Sequence, residues 1–137
     1  MPKKLLIVDD DEDTRIALHD RLLSMGFDVV TENNGHSALS RIDLEARQVP
    51  IQGILLDLQM PMFDGMAVLR EIQKYHREIP VIMMSATADL SQIKKTLDVG
   101  ARGYLTKPFD NRLLREQCLR IFLGGNELSD ISSRDAP

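Results

Sequence analysis

The amino-acid sequence predicts an α/β protein with a five-stranded parallel sheet and helices on both of its faces. Short apolar runs alternate five times with stretches whose apolar residues recur at helical spacing. Three of the runs, at residues 5–8, 53–56 and 81–84, are continuously apolar, which is typical of strands buried on both faces. Strands and helices in this alternating order fold into a doubly wound, three-layer α/β/α arrangement with right-handed crossovers.

The other two runs predict strands nearer the edges of the sheet. The charged side chain of Asp28 interrupts residues 27–30, and residues 103–105 form only a short, weak run. An edge strand is covered less completely than a central one, so such interruptions are tolerated there.

Five helices are predicted from apolar spacing together with start and stop residues. The first follows the acidic residues 11–13 and ends at Gly26, the second spans 36–47, the third begins at 64–65, the fourth ends at Gly100, and the fifth runs from Asp110 to Gly124. Their apolar positions are Leu18, Leu22 and Met25; Ala38, Leu39 and Ile42; Val68, Leu69 and Ile72; Leu90, Ile93 and Leu97; and Leu114, Cys118 and Ile121.

Length and composition limit the number of domains and argue against some classes of function. The 137 residues are enough for one domain, which we place at 1–124, followed by a polar tail or truncated linker at 125–137. A net charge of −4 argues against nucleic-acid binding through bulk charge. No apolar run is long enough to span a membrane and no signal peptide is evident, so a cytoplasmic location is expected.

Chemistry-bearing side chains follow four of the predicted strands. Asp9 and Asp10 come after the first, Asp57 after the third, Ser85 after the fourth and Lys107 after the fifth. The carboxyl ends of parallel strands share one edge of the sheet, where doubly wound proteins bind ligands. Carboxylates with room for water suit Mg²⁺, whereas a lysine and a hydroxyl suit phosphoryl oxygens. The set predicts Mg²⁺-assisted phosphoryl transfer onto an aspartate.

Over residues 3–123 the sequence resembles the receiver domain of bacterial two-component response regulators. The segments that carry the resemblance are LIVDD at 6–10, LLDLQMPMFDG at 55–65, MSA at 84–86 and GYLTKPF at 103–109. Each lies at the end of a predicted strand. The resemblance implies a flavodoxin-like fold with strand order 2-1-3-4-5, an order for which receiver proteins are a known example.

The resemblance also implies roles for individual residues. Asp57 corresponds to the phosphoryl acceptor. Asp9, Asp10 and Asp57 correspond to the carboxylates that hold Mg²⁺, together with the backbone carbonyl of Gln59.

Three further residues are implied to take part in transfer and switching. Lys107 corresponds to the lysine that pairs with the phosphoryl oxygens, and the Lys107–Pro108 bond to a cis peptide. Ser85 corresponds to the hydroxyl residue that moves toward the phosphoryl group. Tyr104 corresponds to the aromatic residue that then turns inward.

The function implied is a signalling switch rather than an enzyme with an external substrate. The phosphoryl group comes from a sensor histidine kinase or a phosphotransfer protein. Phosphorylation then reshapes the face of the fourth helix, fifth strand and fifth helix for an output domain, a protein partner or a homodimer. The alternative is a phosphohydrolase of the haloacid-dehalogenase type, but residues 9–14 lack the D-x-D-x-[TV] motif of that family.

Electrostatics gives one expectation that is independent of the resemblance. Three carboxylates converging on a metal-free crevice repel one another, so at least one of them should titrate above its ordinary range. Neutralising one, as in Asp10→Asn, is then expected to stabilise the metal-free protein.

Overall fold

The structure, a computed structural model, describes residues 2–61 and 64–123. Within these residues the predicted five-fold alternation of strand and helix is confirmed. The predicted tail at 125–137, the end of the fifth helix at Gly124, and Met62 and Phe63 of the 55–65 segment lie outside the described residues. The strands are β1 (Lys4–Val8), β2 (Asp28–Glu32), β3 (Gly53–Asp57), β4 (Val81–Ser85) and β5 (Gly103–Thr106), and the helices are α1 (Glu12–Ser24), α2 (Gly35–Glu45), α3 (Gly65–Tyr75), α4 (Leu90–Val99) and α5 (Asn111–Phe122).

All neighbouring strands are parallel, in the order β2-β1-β3-β4-β5. This confirms both the predicted order and the placement of the two weaker strands at the edges. In the register, Val8 lies beside Leu56. The residues that follow them, Asp9 and Asp57, therefore leave the sheet side by side.

The sheet separates two hydrophobic clusters because side chains alternate between its faces. On β1, Leu6 and Val8 face the cluster that includes α2 and α3, while Leu5 and Ile7 face the cluster that includes α1 and α5. Cys118 of α5 lies in the second cluster, and burial raises the pKa of its thiol to about 12. It is a packing residue, as its place on an apolar stripe suggested.

Every helix begins after an Asp or Asn whose side chain accepts hydrogen bonds from backbone N–H groups of the first turn. These caps are Asp11, Asn34, Asp64, Asp89 and Asp110. Such residues are preferred at this position because the first N–H groups have no partner within the helix. The second helix ends at Glu45, two residues before the predicted Arg47.

The fourth helix differs from the others in how exposed its predicted apolar residues are. Leu90 is 81% exposed and Leu97 is 43% exposed, and the buried residue of α4 is Thr96. Two of the three predicted stripe residues therefore lie on the surface, while Ile93 is half-buried. No helix of the described ranges is both long and apolar enough to cross a membrane.

Candidate functional site

Two aspartates at the carboxyl ends of adjacent strands are buried. Asp9 is 0% exposed and Asp57 is 2% exposed. Asp10 is exposed, but carboxylate oxygens of Asp9, Asp10 and Asp57 all lie within 4.8 Å of one another. The structure therefore brings together the three carboxylates that the sequence placed at one edge of the sheet.

The Asp9 carboxylate is held on both of its oxygens. Oδ1 accepts a hydrogen bond from the backbone N–H of Asp11 at 2.9 Å, and Oδ2 accepts one from Lys107 Nζ at 2.6 Å. Its backbone is fixed as well, since the Asp9 N–H donates to the Glu32 carbonyl at 3.2 Å and its own carbonyl accepts from Arg15 Nη1 at 2.7 Å.

The Asp57 carboxylate has fewer partners. Oδ1 accepts a hydrogen bond from the Gln59 N–H at 3.1 Å, and Oδ2 lies 3.4 Å from Lys107 Nζ. The structure therefore places the Gln59 backbone beside Asp57. The carbonyl of Gln59 is the group that the resemblance implied as a metal ligand. The side chain of Gln59 is exposed.

Lys107 reaches the acidic residues from the loop that follows β5. Its backbone N–H donates to the Ser85 carbonyl at 2.7 Å, which continues the β4–β5 pairing into the loop. The Lys107–Pro108 peptide is cis, as the resemblance implied. Burial opposes the charge on Lys107, but the hydrogen bond to Asp9 and the charges of Asp57 and Asp9 more than compensate, so the pKa of its ammonium is raised. It stays charged between the two buried carboxylates.

One ammonium does not neutralise this site. Burial, reinforced by the charge of Asp9, raises the pKa of Asp57 to about 6. The expectation that one member of the carboxylate set titrates above its ordinary range is confirmed, and the residue concerned is Asp57. At neutral pH Asp57 is ionised for most of the time.

The start of α3 packs directly against the Asp57 segment. A Cβ on Gly65 would lie 2.2 Å from the carbonyl oxygen of Asp57 and 2.5 Å from the Cα of Leu58. Because both are backbone atoms, no side-chain rotation could relieve the clash. The glycine lets the first turn of α3 approach the loop that carries Asp57, and the Gly65 N–H donates to the Leu58 carbonyl at 3.0 Å.

Ser85 and Tyr104 are joined through the backbone of Thr87. Ser85 is 0% exposed, and its hydroxyl oxygen accepts a hydrogen bond from the Thr87 N–H at 3.2 Å. The Tyr104 hydroxyl donates to the Thr87 carbonyl at 2.9 Å, and its ring packs against the hydrophobic cluster of α2 and α3. Among the described residues the Ser85 hydroxyl hydrogen has no acceptor, so it is available to donate a hydrogen bond.

Sequence reasoning missed two features of the site. One is the contact of Arg15 with the Asp9 carbonyl, and the other is the role of Thr87 as the link between Ser85 and Tyr104. Arg15 stands on a polar helix face where a charged residue is ordinary. The links of Thr87 use backbone atoms, which every residue carries, so neither feature had a signal in the sequence.

Comparison with known proteins gives a consistent picture. The family model described as the response regulator receiver domain matches residues 5–118. Among curated proteins, the chain is 36% identical over 131 residues to the probable transcriptional regulator ycf27 of Cyanophora paradoxa. That match covers 96% of the chain and 52% of the relative. It is 33% identical to the alkaline phosphatase synthesis transcriptional regulatory protein PhoP of Bacillus subtilis, with 97% and 53% covered. The chain thus spans about half the length of these curated relatives.

Two solved structures have the same architecture. One is the CheX-CheY-BeF3-Mg²⁺ complex from Borrelia burgdorferi, with a TM-score of 0.80, 30% identity, and coverage of 88% of this chain and 91% of that one. The other is the receiver domain of a sensor histidine kinase from Pseudomonas aeruginosa, with a magnesium ion coordinated in the active-site cleft. Its TM-score is 0.77, its identity 26%, and the coverage 90% and 100%.

The raised pKa of Asp57 predicts how stability depends on pH in the absence of metal. The folded state holds the Asp57 proton more tightly than the unfolded state, so stability falls as the pH rises from about 4 to 6. Above about pH 6 the full penalty is present, on the order of 2–3 kcal/mol for a shift of this size. Asp57→Asn is therefore expected to be more stable than the parent at pH 7, with the difference disappearing near pH 4.

Urea unfolding in chelator across this pH range measures the effect. Asp10→Asn removes an exposed charge and should gain less, and Asp20→Asn on the exposed surface of α1 should follow the parent. An Asp57→Asn variant that is less stable than the parent at pH 7 would show that the Asp57 charge does not burden the fold.

Proposed function

This chain belongs to the family of response regulator receiver domains, and we propose that it accepts a phosphoryl group on Asp57 as the input of its signalling role. Members of the family are signalling proteins of two-component systems rather than enzymes that turn over an external substrate. The haloacid-dehalogenase alternative finds no support in the comparisons. The observation that carries the proposal is the meeting of buried Asp57 with Asp9, Asp10 and the Lys107 ammonium at one strand edge.

The three carboxylates fit a magnesium ion. Their oxygens lie within 4.8 Å of one another, Asp10 is exposed, and hard oxygen ligands with room for water are what Mg²⁺ prefers. In the proposal Asp9, Asp10 and Asp57 hold the ion, and the Gln59 carbonyl is a fourth ligand. Bound Mg²⁺ would neutralise charge that develops on the transferred phosphoryl group.

Asp57 is suited to act as the nucleophile. One carboxylate oxygen of Asp57 attacks phosphorus, the bond from phosphorus to the donor's imidazole nitrogen breaks, and the electron pair of that bond returns to the nitrogen. The product is an acyl phosphate on Asp57. Lys107 Nζ, 3.4 Å from Asp57 Oδ2, can donate to the phosphoryl oxygens. The proposed donor is the phosphohistidine of a sensor histidine kinase or a phosphotransfer protein.

The contacts of Ser85 and Tyr104 support a switching role. The free hydroxyl hydrogen of Ser85 can be donated to a phosphoryl oxygen on Asp57. Movement of that hydroxyl alters its hydrogen bond with the Thr87 N–H, and the Thr87 carbonyl is what holds the Tyr104 hydroxyl. We propose that phosphorylation changes the position of Tyr104 on β5 by this route. A ligand that favours one of two pre-existing states is sufficient for such a change.

The proposed output surface comprises α4, β5 and α5. Leu90, Leu97 and Leu113 are exposed on its helices, at 81%, 43% and 50%. Its proposed partners are an output domain, a second protein or a second copy of the chain bound on phosphorylation, and the proposed setting is the cytoplasm. Since the curated relatives are about twice as long as this chain, their transcriptional role comes to this protein only as a proposal.

Phosphorylation is expected at a single residue. A small acyl phosphate donor with Mg²⁺ should add one hydroxylamine-sensitive phosphoryl group to the parent and none to Asp57→Asn, as measured by intact-mass spectrometry. Asp64→Asn is a matched control, because it neutralises a carboxylate seven residues away while keeping a side chain that can cap α3. Unchanged labelling of Asp57→Asn would refute the assignment of the acceptor.

Lys107 is expected to matter more for phosphorylation and for metal-free stability than for metal affinity. Lys107→Ala leaves Asp9 and Asp57 without their cation, which should cost about 3 kcal/mol in chelator. It should slow phosphorylation and leave Mg²⁺ binding no weaker than in the parent. Unfolding experiments and Mg²⁺ titration measure these effects, with the exposed Lys94→Ala as control. A variant whose main defect is weak Mg²⁺ binding would contradict the role given to Lys107.

Activation is expected to reach β5. Beryllofluoride with Mg²⁺, a mimic of the phosphoryl group, should change hydrogen exchange at residues 85–106 as well as around Asp57. Tyr104→Phe, which loses the hydrogen bond to Thr87 but keeps the ring, should weaken the change at 103–106 and leave that around Asp57 intact. Exchange that changes only around Asp57 in the parent would contradict the proposed switch.

A further inference from the structure

Asp10 is the least supported of the three clustered carboxylates. Asp9 and Asp57 are buried, and each accepts a hydrogen bond from a backbone N–H group. Lys107 also donates a hydrogen bond to Asp9 and lies close to Asp57. Asp10 is exposed, and its side chain has no hydrogen bond or ion pair within the part of the chain that the structure describes. Only the backbone on either side of Asp10 directs its carboxylate toward the cluster.

Arg15 fixes that backbone. It stands in the first turns of α1, and its Nη1 donates to the carbonyl oxygen of Asp9 at 2.7 Å. The bond runs from the helix back to the end of β1, across the turn that contains Asp10. A guanidinium donor makes such a bond stronger than a neutral one.

The Asp9 carbonyl and the Asp10 N–H belong to one peptide plane. Because that plane is rigid and contains the Asp10 Cα, the bond from Arg15 to the carbonyl also helps to fix the position of the Asp10 Cα. The preceding peptide, which carries the Asp9 N–H, is held by its hydrogen bond to the Glu32 carbonyl. Arg15 therefore helps to hold the backbone next to Asp10, the one clustered carboxylate whose side chain has no partner among the described residues.

We propose that Arg15 is a positioning residue that raises the Mg²⁺ affinity of the site by orienting Asp10 through this peptide. The inference rests on the proposed function, since it takes the carboxylate cluster to be a Mg²⁺ site. Arg15 contacts neither the ion nor the phosphoryl group. Residues that orient metal ligands commonly change metal affinity by tenfold or more when they are removed.

Whether Mg²⁺ affinity falls or rises when Arg15 is replaced distinguishes a positioning role from an effect of its charge. The guanidinium is a cation near a cation site, so its charge alone would repel Mg²⁺, and its removal would tighten binding. Positioning predicts the opposite, because a freed peptide lets Asp10 turn away. Arg15→Met removes both charge and donor, whereas Arg15→Lys keeps the charge and one donor.

The experiment is a double-mutant cycle on Mg²⁺ affinity, with MgCl₂ as the probe and titration by calorimetry and by amide NMR shifts of residues 9–11. Arg15→Met should weaken Mg²⁺ binding about tenfold in the parent and by less than about twofold in Asp10→Asn, since the ligand that it orients is then altered. Arg15→Lys should lie closer to the parent. Arg21→Met, the same change farther along α1, should match the parent.

Other results overturn the inference. Equal weakening by Arg15→Met in both backgrounds would mean that Arg15 does not act through Asp10. Unchanged or tighter binding would mean that the contact is structural or that charge dominates. If Arg15→Met does not fold, the same cycle with Arg15→Gln decides by the same criteria. A parent chain that binds no Mg²⁺ would overturn the proposed metal site itself. A parent that binds Mg²⁺, with variants that do not behave as described, would overturn only the role of Arg15.

Discussion

The rest of the site depends on two buried carboxylates that share one ammonium. Asp9 and Asp57 lie side by side because β1 and β3 are parallel and in register up to the residues before them. Burying two like charges is costly, and the structure meets the cost with Lys107 and with backbone N–H groups from Asp11 and Gln59. The β5–α5 loop brings the Lys107 ammonium across the end of the sheet to these two carboxylates.

The same arrangement leaves negative charge in excess. Lys107 is closer to Asp9, at 2.6 Å, than to Asp57, at 3.4 Å, so Asp57 is the less well neutralised of the two. The pKa of Asp57 is raised to about 6 mainly because its carboxyl group is buried, and the charge of Asp9 is the second cause. Three carboxylates and one ammonium leave a formal charge of −2 when all are ionised, which favours a divalent cation. Asp57 is also left without a short ion pair. In the proposed function, this excess of negative charge lowers the stability of the metal-free state but leaves Asp57 available to accept a phosphoryl group.

The proposed switch depends on backbone groups. Thr87 joins the Ser85 hydroxyl to the Tyr104 hydroxyl through its N–H and its carbonyl, so the link does not depend on the identity of its side chain. Tyr104 stands on an edge strand, where the sheet has one neighbour instead of two. β5 nevertheless contributes to both hydrophobic clusters, because Leu105 is buried with α1 and α5 and the Tyr104 ring packs against the cluster of α2 and α3. A change in the position of Tyr104 would therefore alter the packing of the latter cluster.

The amino-acid sequence is enough to predict the alternation of strands and helices, the edge positions of β2 and β5, and the strand ends that carry Asp9, Asp57, Ser85 and Lys107. These follow from local periodicity and from the geometry of parallel strands, and the resemblance to receiver domains added roles that stay predictions. Three features are evident only in the folded protein: Leu90 and Leu97 of α4 are exposed, the electrostatic penalty falls on Asp57, and Arg15 contacts the Asp9 carbonyl. Periodicity describes one element at a time, whereas burial, charge balance and backbone contacts depend on distances between elements that are far apart along the chain.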